Sequence, residues 1–131
     1  MLIEWDESLS VGNDKIDHDH QALIGITNEL SQAVEDGQGK AIIADVLSRL
    51  SDYVGYHFDH EEQIMRRFRY SEMACHIQEH ADLIKGLDEL VYEHEVAPNV
   101  VTTDTLEFLK HWLVDHIKTW DHRLGLFLRR G

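Results

Sequence analysis

The sequence predicts an all-α protein, an antiparallel up-down-up-down four-helix bundle with an N-terminal arm. Two observations support this fold class. Apolar residues recur at steps of three and four positions over long stretches, which is the pattern of helices that bury one face. Alternating runs of Val, Ile and Thr, which would indicate strands, are missing, and the 131 residues include a single proline. Because the helical stretches are joined by short breaks, consecutive helices are expected to run antiparallel.

The predicted elements form a single domain over residues 1–131, with the arm at residues 1–16 and the bundle at residues 17–131. A chain of this length is long enough for one compact domain with a core and too short for two comfortable ones. The first helix is expected to begin near Asp17 and to end at Gly37, because glycine commonly adopts the left-handed conformation that closes a helix.

The other three helices follow from the same periodicity. The second is predicted over residues 40–68, and a short break follows in which Ser71 is a suitable N-cap for the third. The third helix is expected to fade near His94, before a loop that contains Pro98. A fourth helix, for which Thr103 or Asp104 is the expected N-cap, continues to the C-terminus. Together these elements account for the four-helix prediction.

The charge balance argues against several classes of partner. The chain has 12 Lys and Arg against 25 Asp and Glu, a formal net charge of −13, which disfavours nucleic acid and anionic membranes. The N-terminus lacks the basic start and apolar run of a signal peptide, and no stretch approaches the ~20 apolar residues that span a bilayer. The lone Cys75 excludes an intramolecular disulfide. We therefore expect a cytoplasmic monomer that is not inserted in a membrane.

Several ionisable residues occupy positions in the apolar stripes where a plain bundle would have leucine. They are His20, His57, Glu61, His76, His80 and His116. A rise of ~1.5 Å per residue, counted from the turns of an antiparallel bundle, places them at a common height. One buried histidine is usually a hydrogen-bonded structural residue, but five in one layer need more partners than the neighbouring sequence supplies. A metal site is therefore predicted.

The number of ligands indicates two ions. Two ions with about six positions each offer about twelve, of which five imidazoles fill five and two bridging carboxylates fill four. An oxo or hydroxo group shared by both ions fills two more, and one position is left open. Imidazole and carboxylate together favour iron, and an open position on a pair of irons favours a small ligand such as dioxygen.

The spacing does not decide the second carboxylate. Asp121 lies five residues after His116, a rotation of ~140° on a regular α-helix, so the two share a face only where the helix is locally widened. By spacing alone, Asp115 and His122 are alternatives. Two further choices stay open in the same way. They are His18 against His20, and His60 against Glu61 as the partner of His57.

Four motifs in chain order resemble the hemerythrin family over nearly the whole sequence. They are Ile16-Asp17 followed by His20, HFDHEEQIM at residues 57–65, HIQEH at residues 76–80 and WLVDHIKTWD at residues 112–121. The resemblance implies a non-haem di-iron site with seven ligands, which are His20, His57, Glu61, His76, His80, His116 and Asp121. It selects His20 over His18 and Asp121 over its neighbours.

The same resemblance implies how the ligands divide. Glu61 and Asp121 would bridge two oxo- or hydroxo-bridged irons, with three imidazoles completing one iron and two imidazoles leaving the other with the vacant position. The family also implies reversible dioxygen binding for storage, transport or delivery to an oxygen-consuming enzyme, and no catalysis. The alternatives are an oxygen or iron sensor, a di-iron oxidase, and a peroxide or nitric oxide reductase. Asp19 stands where the family usually has Gln, so it is expected to alter hydrogen bonding at His20 or to face solvent.

Overall fold

The computed structural model describes residues 2–97 and 101–130. Its helices, in chain order, are α1 Asp14–Glu35, α2 Lys40–Arg67, α3 Met73–Val96, α4 Thr103–His116 and α5 His122–Arg130, with a π-helical turn Ile117–Asp121 between the last two. The described part of the chain contains no strand. Helix α4, the π turn and α5 follow one another without a break and form the fourth rod of the bundle. The predicted all-α four-helix bundle is confirmed.

The arm is attached to the bundle by backbone hydrogen bonds to polar side chains. The Asn28 side chain accepts from the backbone N–H of Ile3 and donates to its carbonyl oxygen, both at 2.8 Å. Farther along, an Asp17 carboxylate oxygen accepts from the Val11 N–H at 2.8 Å. Helix α1 begins at Asp14, one turn before the predicted start near Asp17, because the Asn13 side chain caps it. Asp17 lies within the first turn and accepts the hydrogen bond from the arm.

Two left-handed residues close the first two helices. Gly37 adopts a φ of 67°, and its N–H donates to the Val34 carbonyl at 3.1 Å, as the glycine at this position predicts. Arg69 occupies the equivalent position after α2 with a φ of 55°, and the following Tyr70 N–H donates to the Met65 carbonyl at 2.9 Å. The turn between α2 and α3 is therefore built on a left-handed residue that is not glycine.

The N-caps predicted for the third and fourth helices are wrong. Helix α3 is preceded by Glu72 rather than Ser71, and the Glu72 side chain makes no capping hydrogen bond. Helix α4 is capped by Thr102, whose hydroxyl accepts from the Thr105 N–H at 3.4 Å. The loop predicted at Pro98 lies outside the described residues.

The apolar core fills the space between the four rods. Its fully buried aliphatic side chains include Leu23, Leu30, Leu47, Leu50, Leu87, Leu109, Ile117 and Leu124. Burying one such side chain contributes about 1.5 to 3 kcal/mol, so the core supplies most of the favourable free energy that orders the helices. Among the helices described, none is long and apolar enough to cross a membrane. The core also contains a cluster of buried ionisable side chains.

Candidate metal centre

Seven ionisable side chains from all four rods meet in one buried layer. They are His20 on α1, His57 and Glu61 on α2, His76 and His80 on α3, His116 at the end of α4 and Asp121 at the end of the π turn, each at most 3% exposed. The structure thus brings together all seven residues that the sequence and the family resemblance single out. The heights counted from the turns predict this layer correctly.

The π turn brings the second carboxylate to the layer. On a regular α-helix, Asp121 would point about 140° away from His116. The wider turn takes up an extra residue, and the Thr119 hydroxyl donates to the Asp115 carbonyl within it. Asp121 is therefore wholly buried, whereas Asp115 and His122 are exposed. Both alternatives to Asp121 that the spacing left open point away from the layer.

The two other open choices are settled by exposure and contact. His18 is exposed on α1, one position before the buried Asp19. His60 is half-buried, with its Nδ1 atom 3.4 Å from Asp19, and it belongs to neither group of buried donors in the layer. His20 rather than His18, and Glu61 rather than His60, therefore lies in the layer.

Glu61 directs its two carboxylate oxygens to opposite sides of the layer. Its Oε1 atom lies 3.0 Å from Nε2 of His80 and 3.5 Å from Nε2 of His76. Its Oε2 atom lies 3.3 Å from Nε2 of His57 and 3.9 Å from Nε2 of His20. One carboxylate therefore contacts imidazoles from three different rods.

Asp121 divides its oxygens in the same way. Its Oδ1 atom lies 3.0 Å from Nε2 of His76 and 3.2 Å from Nε2 of His116. Its Oδ2 atom lies 2.8 Å from Nε2 of His20. The two carboxylates therefore lie between two groups of imidazoles. We call His76, His80 and His116 the three-imidazole group, and His20 and His57 the two-imidazole group.

Hydrogen bonds satisfy these side chains only in part, through the contacts of His76 with Asp121 and of His80 with Glu61, both at 3.0 Å. Buried atoms without a hydrogen-bond partner include Nε2 of His20, His57 and His116, Oε2 of Glu61 and Oδ2 of Asp121. Such atoms are costly to bury unless something else contacts them. A cation between the nitrogen and oxygen donors would satisfy the carboxylates and the neutral imidazoles at once.

The donor spacing fits two cations. The three-imidazole group with both carboxylates, and the two-imidazole group with both carboxylates, each place one donor atom per residue within 4.8 Å of all the others. Donors about 2 Å from one ion lie roughly 3 to 4 Å from each other, so either set can surround a single ion. Since Glu61 and Asp121 belong to both sets, the two positions share both carboxylates.

The carboxylates hold three of the imidazoles, those of His57, His76 and His116, in their charged form when no cation is present. Burial by itself lowers the pKa of His57, but Glu61, with Asp121 and Asp19, outweighs it and raises that pKa to about 9. Against the same effect of burial, Asp121 and Glu61 raise the pKa of His76 to about 8, and Asp121, Glu79 and Glu61 raise that of His116 to about 10. A metal ion must displace these protons, because imidazole binds metals in its neutral form.

The pKa values of the two carboxylates in the layer are shifted in the opposite direction, downwards. Burial raises the pKa of both Glu61 and Asp121, and repulsion by Asp121 raises that of Glu61 further, but the surrounding imidazoles outweigh these effects and lower each pKa. Both groups are therefore ionised at neutral pH. The layer carries two negative charges that a cation can balance after the imidazoles lose their protons.

Asp19 lies behind the layer and is wholly buried. Its Oδ2 atom is 3.1 Å from Nδ1 of His57, and its Oδ1 atom is 3.3 Å from both the Tyr53 hydroxyl and Nζ of Lys15. The expectation that Asp19 faces solvent or hydrogen-bonds near His20 is wrong: it contacts His57 on the neighbouring helix. Burial raises the pKa of Asp19, but the His57 contact and then Lys15 outweigh it and lower that pKa.

Two further carboxylates lie behind the layer and are not predicted from the sequence. Oε2 of Glu62 lies 3.0 Å from Nδ1 of His80, and Oε1 of Glu79 lies 3.6 Å from Nδ1 of His116. The available signal is their place in HFDHEEQIM and HIQEH, directly beside Glu61 and His80. Since a helix turns ~100° per residue, a neighbour of a core residue can reach an adjacent helix from the rim of the core.

Apolar side chains cover the layer on the side of the three-imidazole group. The Phe58 ring stacks on the His80 ring with centroids 3.9 Å apart, and its centroid is 5.5 Å from that of His116. Leu113 and Ile117, which flank His116 on the fourth rod, are buried as well. These contacts restrict the motion of the imidazoles.

The chain is similar to known proteins over most of its length. Residues 11–126 match the family described as Hemerythrin HHE cation binding domain. The Bacteriohemerythrin of Methylococcus capsulatus is 31% identical over 109 residues, 83% of this chain and 82% of that protein. The Bacteriohemerythrin of Stenotrophomonas maltophilia is 29% identical over 117 residues, 89% of this chain and 75% of that protein. A crystal structure described as wild-type hemerythrin superimposes with a TM-score of 0.89 at 28% identity, covering 95% of this chain and 96% of that one.

Proposed function

The chain belongs to the hemerythrin family, and on that premise we propose that its buried layer holds two iron ions and binds dioxygen reversibly. The observation that supports this most directly is the division of each carboxylate between two groups of imidazoles. Glu61 and Asp121 each direct one oxygen to the three-imidazole group and the other to the two-imidazole group. Imidazole and carboxylate donors in this number suit iron better than a single closed zinc site.

Each side chain has a defined role in this proposal. His76, His80 and His116 would hold one ion and His20 and His57 the other, and Glu61 and Asp121 would contribute one oxygen to each, together with an oxo or hydroxo group. When bound, the two irons supply the electrons and the open coordination position that reversible dioxygen binding requires. The two-imidazole group has one imidazole fewer, so the open position belongs there.

The protein's own contribution is to hold the imidazoles in place and to keep water out. The ligands sit on rods whose rotation is fixed by the packed core, and Phe58 limits the motion of the His80 ring by stacking on it. Leu113 and Ile117 would form part of a dry wall beside His116. A narrow and dry site disfavours net oxidation of a larger substrate, which supports a carrier rather than an enzyme.

The composition of the site also supports a carrier. Di-iron enzymes of the ferritin-like kind usually have Glu-x-x-His pairs and four glutamates, whereas five imidazoles and two carboxylates meet here. We propose that the protein is not an enzyme and that it stores dioxygen or supplies it to an oxygen-consuming enzyme. The net charge of −13 fits a cytoplasmic monomer, acting as one domain, whose client offers a basic surface.

The test is a visible absorption spectrum of the purified protein, recorded with its iron content after anaerobic reduction, after admission of air and again under argon. The proposal expects about two irons per chain, a colourless reduced form, colour in air and bleaching under argon. Colour that forms once and cannot be reversed would overturn reversible binding and favour an oxidase or a sensor. Protein that takes up no iron on reconstitution would overturn the metal site itself.

A further inference from the structure

Asp19 is a buried carboxylate that has no part in the proposed function. It is 0% exposed, although aspartate is rarely buried to this extent without a strong reason. Its charge is balanced by Lys15, whose side chain is 47% exposed and whose Nζ atom lies 3.3 Å away, and by the His57 imidazole at 3.1 Å. The Tyr53 hydroxyl at 3.3 Å and Nδ1 of His60 at 3.4 Å are its further contacts. Asp19 is therefore held rigidly between a surface cation and a residue of the layer.

The contact with Asp19 fixes the state of the His57 ring. A carboxylate accepts hydrogen bonds only, so Nδ1 of His57 must carry the proton that it shares with Asp19. The Nε2 atom, which faces Glu61 at 3.3 Å, is then the nitrogen left to bind a metal ion in the neutral ring. An outer carboxylate of this kind orients a metal-binding imidazole, and its loss typically lowers metal affinity by about 10- to 100-fold.

The two groups of imidazoles differ in how much they depend on such contacts. In the two-imidazole group, Nδ1 of His20 has no hydrogen-bond partner in the described part of the chain, so Asp19 provides the carboxylate contact of the pair. In the three-imidazole group, His80 contacts Glu62 at 3.0 Å and His116 lies 3.6 Å from Glu79. A weakened imidazole leaves two others in the larger group but only one in the smaller.

We propose that Asp19 is a positioning residue that decides whether the two-imidazole group binds its ion. Removing its contact to His57 leaves a folded chain that binds one ion tightly, in the three-imidazole group, and the second weakly. The inference rests on the proposed function, because it needs two metal positions. It adds that the two positions are unequal and names the residue outside the layer that makes the weaker position usable.

The test is anaerobic titration of the metal-free protein with Co²⁺, followed by visible absorption of the bound cobalt and by native mass spectrometry. Dioxygen plays no part in this measurement. The wild-type protein is expected to bind two ions. Asp19→Ala should bind the first with unchanged affinity and the second about 10- to 100-fold more weakly. Asp19→Asn keeps an oxygen that can accept from His57 but loses the charge, so it should weaken the second ion less.

The matched control is Glu62→Ala, which removes an outer carboxylate of similar geometry from His80 in the three-imidazole group. It should still bind two ions, with the second ion less affected than in Asp19→Ala. Circular dichroism of the metal-free variants shows whether each has folded. If Asp19→Ala does not fold, Asp19→Asn decides, and a second-ion affinity equal to that of the wild type would overturn the inference.

Two other outcomes would also overturn it. If Asp19→Ala binds both Co²⁺ ions as the wild type does, Asp19 does not position His57 for binding. If Glu62→Ala loses the second ion to the same extent, the two positions do not differ in the way inferred. A wild-type protein that binds fewer than two ions would instead refute the two-ion site of the proposed function, and this inference with it.

Discussion

Nε2 of His116 lies 3.2 Å from Oδ1 of Asp121, although the two residues are five positions apart on one continuous rod. The π turn makes this contact possible, because it takes up one residue more than an α-helical turn and returns Asp121 to the face of His116. π turns are rare and occur often at functional sites. Here the widened turn directs a carboxylate into the layer of imidazoles.

This relationship predicts that Asp121→Asn abolishes stable metal binding while Asp115→Asn does not. The first substitution keeps the shape of the side chain but removes a charge that contacts both groups of imidazoles. Metal affinity should fall by more than about 100-fold, the upper range for loss of an outer contact. Asp115 is exposed and lies directly beside His116 in sequence, so its variant controls for the loss of charge. Iron content after reconstitution measures both, and equal iron in the two variants would refute the prediction.

The metal-free protein should lose stability as the pH rises above neutrality. The pKa values of His57, His76 and His116 are raised to about 9, 8 and 10, above the value of about 6.5 expected in the unfolded chain. Their contribution is therefore fully present below about pH 6.5 and is lost as the pH rises through 8 to 10. The lowered pKa values of Glu61 and Asp121 act in the opposite direction and remove stability in acid, below about pH 4.

Urea unfolding of the metal-free protein at pH 6, 8 and 10 measures the effect. The free energy of unfolding should be highest near pH 6 and lower by more than about 1 kcal/mol at pH 10, since one unit of pKa shift corresponds to about 1.4 kcal/mol. Metal affinity should rise over the same interval, because the ion no longer competes with bound protons. A free energy of unfolding that is constant or increases from pH 6 to pH 10 would contradict the assignment of charged imidazoles.

Replacing Leu113 with alanine should shorten the lifetime of the oxygen-loaded protein. Leu113 is buried one turn before His116, where loss of its side chain would open the dry wall to water. Leu109→Ala is the matched control, because Leu109 is buried on the same helix one turn farther from the layer. Each substitution costs about 2 to 5 kcal/mol of stability, so a difference between them reflects the site. Unchanged autoxidation in Leu113→Ala, measured by the decay of the visible band, would exclude Leu113 from the wall.

The arm should separate from the bundle in Gly125→Ala. A Cβ atom at Gly125 would lie 2.0 Å from the carbonyl oxygen of Val11, a backbone atom that cannot move without displacing the arm. We expect a loss of about 2 to 3 kcal/mol in the free energy of unfolding. Gly55→Ala is the control, since nothing lies within 4 Å of its Cβ position on α2 and alanine should add about 0.5 to 1 kcal/mol. Equal midpoints of thermal unfolding in the two variants would refute the close contact.

Much of the fold could be predicted because helix period and rise are local properties of the chain. The apolar steps locate four helices, and counting residues from the turns brings His20, His57, Glu61, His76 and His80 to one height before any contact is known. Helix ends are predicted less well, since capping depends on the geometry of a few residues. Asn13 and Thr102 act as caps, and Arg69 adopts the left-handed conformation that glycine usually takes.

The sequence by itself determined the helices, their amphipathic faces and the layer of histidines, because those follow from spacing along one segment. Spacing placed Glu61 in the layer and left the second carboxylate open, and the family resemblance selected Asp121. Only the tertiary structure decided how Asp121 reaches the layer and which carboxylates support it. Asp121 faces His116 because the π turn rotates it there, and nothing in the local composition marks that turn. Asp19 meets His57 rather than His20 because α1 and α2 pack side by side. The first contact depends on one widened turn and the second on the relative rotation of two helices, which the packing of the core fixes and no single segment encodes.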